Sequence, residues 1–194
     1  DLAAAEQHLE AAVRLEPNDP RHQLELAECQ LRSGDQNERE AGRALAERVK
    51  SDPRVRLDAL RVLINDAVHW RRDSVSIALA KELDALPAAT FADRLVALGI
   101  LHHLKDPDFT AILTRLEGES TQSSEKAVKL ITWMNSQRLA LPAIDWSKRL
   151  PPKVLGSIPI RFALADTHVR LGDWTALKAM LQRGSWGRGE AVRR

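Results

Sequence analysis

The chain has 194 residues, 44% of them hydrophobic and 29% charged, which supplies a sizeable core and lies outside the compositional range of disorder. Lys plus Arg outnumber Asp plus Glu by only 29 to 27, so there is no cationic field of the kind that drives nucleic-acid binding. The single cysteine, Cys29, excludes an internal disulfide and a cysteine-ligated zinc pair.

Tyrosine is absent, aromatics make up 4%, and Ala, Leu, Arg and Glu dominate, so an all-α fold is expected. No apolar run reaches the roughly 18 residues that span a bilayer, so no membrane insertion by this segment is expected. The compartment, cytoplasmic or periplasmic, and the oligomeric state stay open, as does a membrane anchor elsewhere in a longer parent.

The chain opens on Asp1 rather than Met, in what reads as the second half of a repeat. Ala5, Leu9, Ala12 and Pro17 put small and apolar residues on one helix face, with the proline closing the helix. From Arg21 a second helix carries the stripe Leu24, Ala27 and Leu31, and Gly34 is expected to end it in the left-handed conformation. Its partner follows with Ala41, Leu45 and Pro53, and the extra residues between Gly34 and Ala41 predict a bulged turn through Gln36 and Asn37.

A third pair of helices begins at Arg54, with Leu57, Leu60, Val62, Leu63 and Ile64 on its first member and Val75, Leu79, Leu83 and Pro87 on its second. The fourth starts at Thr90, a good N-cap, carries Leu95, Leu98 and Leu101, and turns at Lys105–Asp108 into Phe109, Leu113 and Leu116. After a polar junction at Ser120–Ser124, Ala127, Leu130, Ile131 and Met134 mark the next amphipathic helix. A shorter partner holds Pro142 in its first turn, buries Ile144, Trp146 and Leu150, and is expected to end at Pro151–Pro152. The last pair carries Leu164, Ala165, Gly172, Leu177 and Leu181.

Pro17, Pro53, Pro87, Thr121, Pro151 and Gly189 taken as equivalents are spaced by 36, 34, 34, 30 and 38, a period near 34. The expected organisation is one repeat domain over 1–194, a fragment truncated in mid-repeat. A half-repeat at 1–17 precedes repeats at about 18–53, 54–87, 88–121, 122–152 and 153–189, and 189–194 reads as the lead into another.

This pattern resembles the tetratricopeptide repeat family, on Leu26-Ala27, Gly34, Ala41, Leu45 and Pro53, on Leu164-Ala165, Gly172, Leu177 and Leu181, and on Ala5, Leu9, Ala12 and Pro17. The family's helix-A aromatic is replaced by Gln30, Asp66, Ile100 and His168. The stretch from Gly172 to Trp186 is also similar to C-terminal repeats of bacterial members. The resemblance implies a right-handed α-solenoid of stacked antiparallel helix-turn-helix repeats whose first helices line a concave groove. Groove positions carried over from the family are Arg21, Glu28, Arg32, Arg61, Asn65, Arg94, His102, Thr132, Asn135, Asp166 and Arg170. Their basic lean suits an acidic peptide or protein, since arginine forks hold carboxylates bidentately. Arg61 and Arg94 are the expected acid-binding pair.

Catalytic and metal signals are weak. His102 and His103 point about 100° apart on a helix, and His102 with Asp106 offers two ligands only. Ser123 and Lys126 have the S-x-x-K spacing of serine acylases but sit at a repeat junction, where capping explains the serine. The tryptophans at 70, 133, 146, 174 and 186 read as packing between repeats, with Trp70, beside Arg71 and Arg72, least suited to the core. The terminal cluster of Arg188, Arg193 and Arg194 reads as solvated.

A non-catalytic protein or peptide scaffold is therefore expected, with no cofactor, no metal and no nucleic-acid partner. The alternative is an accessory, substrate-selecting or regulatory module of a larger multidomain enzyme.

Overall fold

The computed structural model describes residues 2–182 and Trp186, and the expected lead at Gly189 and the cluster of Arg188, Arg193 and Arg194 lie outside them. Helix accounts for 76% of the described residues, and no strand occurs among them, so the fold is all-α. The helices are α1 (Leu2–Leu15), α2 (Pro20–Leu31), α3 (Gln36–Val49), α4 (Arg56–His69), α5 (Asp73–Ala85) and α6 (Phe91–His103). They continue as α7 (Phe109–Ser120), α8 (Ser124–Ser136), α9 (Ala140–Ser147), α10 (Pro152–Leu155), α11 (Ile158–Leu171) and α12 (Trp174–Leu181).

The chain forms two compact units, Asp1–Asp106 and Pro107–Arg194. In the first, each helix from α1 to α6 packs on its successor. In the second, α7 packs on α8, α8 on α9, and α11 lies against α8, α9 and α12. Packing between sequence neighbours is the mark of helical repeats, whose apolar stripes are buried only by stacking.

The period is written most plainly in the backbone. Among the described residues Arg71 (φ 51°), Lys105 (φ 56°), Arg138 (φ 61°) and Gly172 (φ 68°) are the left-handed ones, and they follow one another by 34, 33 and 34 positions. Each lies inside a Schellman closure. The N–H of Arg72, Asp106, Leu139 and Asp173 donates to the carbonyl of Ala67, Leu101, Met134 and His168 at 2.8, 2.9, 2.8 and 3.0 Å. Four helices thus end in the same way, although only the last carries the glycine that the conformation favours.

Gly34 is the exception, and it corrects the expectation of a left-handed turn there: its φ is not positive. The Asp35 carboxylate starts α3 at once, accepting from the N–H groups of Asn37 and Glu38 at 2.7 and 3.1 Å. Arg39 Nη1 donates to the carbonyls of Ser33 and Gly34 at 2.9 and 2.7 Å, satisfying the turn without a Schellman closure. Gln36 and Asn37 are helical, so the expected bulge is absent. Helix α3 consequently buries Gly42, Ala46 and Val49, one position out of register with the expected Ala41 and Leu45, and Ala41 is exposed. A Cβ on Gly42 would stand 2.8 Å from the Ala27 carbonyl oxygen, so only glycine allows this approach of α3 to α2.

Other ends match their residues. Thr90 and Asp93 form a reciprocal capping box, Ser123 accepts from the Lys126 N–H, and Pro142 occupies the first turn of α9. Helix α9 ends at Ser147, short of the expected Pro151–Pro152, and Pro152 instead opens α10, where a proline at the first position sacrifices no hydrogen bond.

Successive hairpins are also tied by polar bridges between residues 31 or 32 apart: Lys50 to Glu82, Arg61 to Asp93, Glu117 to Arg149, and Asn135 to Asp166. Leu60, Leu63, Leu98 and Leu101 fill the core of the first unit, and Leu130, Ile131, Met134 and Trp146 that of the second. Trp186 is buried too and packs edge-on against Phe162 at 5.3 Å. Trp174, in contrast, is 63% exposed, because α12 buries none of its residues, so the expected packing role fails there.

Candidate functional site

The eleven expected groove residues divide between the units. Arg21, Glu28, Arg32, Arg61, Asn65, Arg94 and His102 belong to the first, and Thr132, Asn135, Asp166 and Arg170 to the second. Arg21 and Thr132 are exposed, and Arg94 and His102 are half-buried on α6.

Arg61 is already engaged. Its Nε and Nη2 grip both oxygens of Asp93 at 2.9 Å each, and Nη1 reaches Asp58 at 2.8 Å. The Arg61 guanidinium, helped by the Thr90 hydroxyl and N–H, outweighs partial burial and holds the Asp93 carboxyl at about 2. Asn135 is buried, and its amide donates to the Ala163 carbonyl at 3.1 Å and to Asp166 at 3.0 Å. Asp166 also accepts from Arg170 at 2.8 Å, so this trio is a tether between α8 and α11.

Three of the expected residues, Glu28, Arg32 and Asn65, do converge. They line a cleft of about 630 Å³ in the first unit, formed by the C-terminal halves of α2 and α4, the Ser33–Gly34 turn and the first turn of α3. Leu31 and Val62 supply apolar wall, and Trp70, capping α4, stands 45% exposed at the edge. The Arg39 guanidinium lies over the Trp70 ring at 4.6 Å from its centroid, and His69 meets that ring edge-on at 5.0 Å.

Asp66 lines the same cleft with a side chain only 3% exposed. Burying a carboxylate requires compensation, and two guanidiniums supply it. Arg43 donates through Nε at 2.7 Å and Nη2 at 3.3 Å, and Arg72 binds from the following turn. Glu28 and Arg32 pair with each other across one helical turn. Among the described residues Arg39 has no carboxylate in ion-pair reach; its partners are two carbonyls and the indole. Sequence reasoning missed Arg39, Arg43 and Arg72, because each lies on a second helix or a turn, away from the helix-A positions.

Of possible metal ligands among the described residues, Glu16, Asp19 and His22 place ligand atoms within 4.8 Å of one another, and Asp19 is at the same time the N-cap of α2. Asp106, the carboxylate four residues after His102, receives Lys81 at 3.1 Å. Burial, followed by the nearby Glu6 carboxylate, pushes the Cys29 thiol up, which keeps it protonated and unreactive at neutral pH. No helix among the described residues is long and apolar enough to cross a membrane. No family model, curated protein or solved structure matches the chain.

Proposed function

We propose that the chain is a right-handed α-solenoid of tetratricopeptide-like repeats and works as a non-catalytic docking scaffold for a protein or peptide. One observation carries this reading: the cleft of about 630 Å³ in the first unit, whose walls combine Leu31, Val62 and an exposed Trp70 with the polar Asn65 and Arg39. That volume and that mixture of apolar wall with few oriented polar groups are typical of ligand sites. An exposed tryptophan at a rim is also the residue type that most often anchors an interface. The recurrence of left-handed turns at 34, 33 and 34 positions supports the repeat assignment, since it is the spacing of that family's hairpins.

Selection of a random heptapeptide phage library on the whole chain tests the reading. Peptides are expected to be recovered, and their binding is expected to be lost in Asn65→Trp, which fills the cleft from an exposed position. Recovery of no peptide, or of peptides indifferent to Asn65→Trp, would overturn it.

A further inference from the structure

Arg39 is held from three sides and yet has charge to offer. Its Nη1 is fixed by the Ser33 and Gly34 carbonyls, and the indole of Trp70 fixes its plane. A guanidinium stacked on an aromatic face keeps its remaining in-plane N–H groups for a planar anion. The neighbouring carboxylates are occupied: Asp66 by Arg43 and Arg72, Glu28 by Arg32, and Glu38 by the Ser33 hydroxyl. Arg39 is thus a pre-oriented cation at the edge of a cleft that also offers the apolar surface of Leu31, Val62 and Trp70.

We propose that this cleft binds a short peptide segment in which an Asp or Glu side chain sits beside aliphatic residues. The carboxylate lies on Arg39, and the aliphatic side chains lie against Leu31, Val62 and Trp70. This rests on the scaffold reading and sharpens it, moving acid recognition from Arg61, whose fork already holds Asp93, to a residue of the second helix. A side-chain carboxylate suits the site better than a chain terminus. Terminal carboxylates are captured in nests of free backbone N–H groups, and here the Ser33 and Asp35 N–H groups are committed to the Gln30 carbonyl and the Ser33 hydroxyl.

The test is a double-mutant cycle on the full chain, read by fluorescence anisotropy with dye-labelled Ala-Leu-Glu-Leu-Ala-amide and its Glu→Gln counterpart. The Glu peptide is expected to bind at least about tenfold more tightly than the Gln peptide, about 1.4 kcal/mol, and Arg39→Gln is expected to erase that preference. Because Arg39→Gln also loosens the turn, Arg39→Lys is measured beside it; it keeps the charge without the fork and is expected to retain part of the preference. Equal binding of the two peptides, a preference that survives Arg39→Gln, or no binding of either overturns the proposal. So does tighter binding of the Gln peptide as a free acid than of the Glu amide, which would assign the site to chain termini. Heptapeptides that depend on Asn65 but not on a carboxylate would sink this inference and leave the scaffold reading standing; an empty selection would remove both.

Discussion

The two units solve the same problem, adhesion between consecutive helical hairpins, with different chemistry. In Asp1–Asp106 the ties are ionic: Asp66 with Arg43 and Arg72, Glu82 with Lys50 and Arg56, Asp93 with Arg61, and Asp106 with Lys81. In Pro107–Arg194 one such tie recurs, Glu117 with Arg149, and the weight falls on large apolar side chains, with Trp146 at 1% exposure and Ile131 and Met134 fully buried, plus the neutral amide of Asn135. Ionic ties choose a register but compensate their own desolvation only when geometry is good, whereas apolar burial stabilises without regard to direction. The first unit should accordingly respond more to charge and acid than the second, where Trp146 makes lost volume the larger lever.

Trp146→Ala should produce the largest effect, about 3–5 kcal/mol from the transfer and cavity terms. Hydrogen exchange resolved along the chain is the measurement, and protection should fall most in α8, α9 and α11. An even loss across both units would contradict the division of labour. Asp66→Ala comes next, at about 3 kcal/mol, because it leaves Arg43 and Arg72 facing each other without their shared anion. A urea melt of this variant, compared with Arg43→Met/Asp66→Leu, checks the cause: the apolar pair should recover much of the loss.

Asp93→Asn should cost about 1–2 kcal/mol at neutral pH, after allowance for solvent screening of Arg61. Because the folded carboxyl is held at about 2, below its ordinary 3.8, this contribution is present above pH 4 and is lost as the pH falls toward 2. Chemical melts at pH 6, 4 and 2 should therefore show wild type and variant converging. The smallest expected effect is a gain. Arg138→Gly relieves a left-handed conformation that penalises a side chain, and should add ~0.5–1 kcal/mol in thermal unfolding. Arg71→Gly should add less, since Arg71 neighbours the Arg72 tie to Asp66.

Much of the architecture could be read from residues alone. Apolar stripes such as Ala127, Leu130, Ile131 and Met134 are all buried, the caps at Thr90 and Ser123 form, and Gly172 adopts the left-handed turn. The failures are equally instructive. Gly34, expected in the left-handed conformation, does not adopt it, because Asp35 caps the next helix directly. The site was only partly legible: Glu28, Arg32 and Asn65 reach the cleft, but Arg61 and Asn135 are engaged in tethers to partners 32 and 28 to 31 residues away.

What the sequence determined by itself is therefore local: the all-α class, the spacing of the hairpins near 34 residues, and most helix ends, since these depend on propensity, periodicity and capping within a few residues. Tertiary structure alone decided which charges cancel. Arg39, Arg43 and Arg61 look alike in a string of letters, and only the packing of α3, α4 and α6 leaves the last two on carboxylates and the first facing an open cleft.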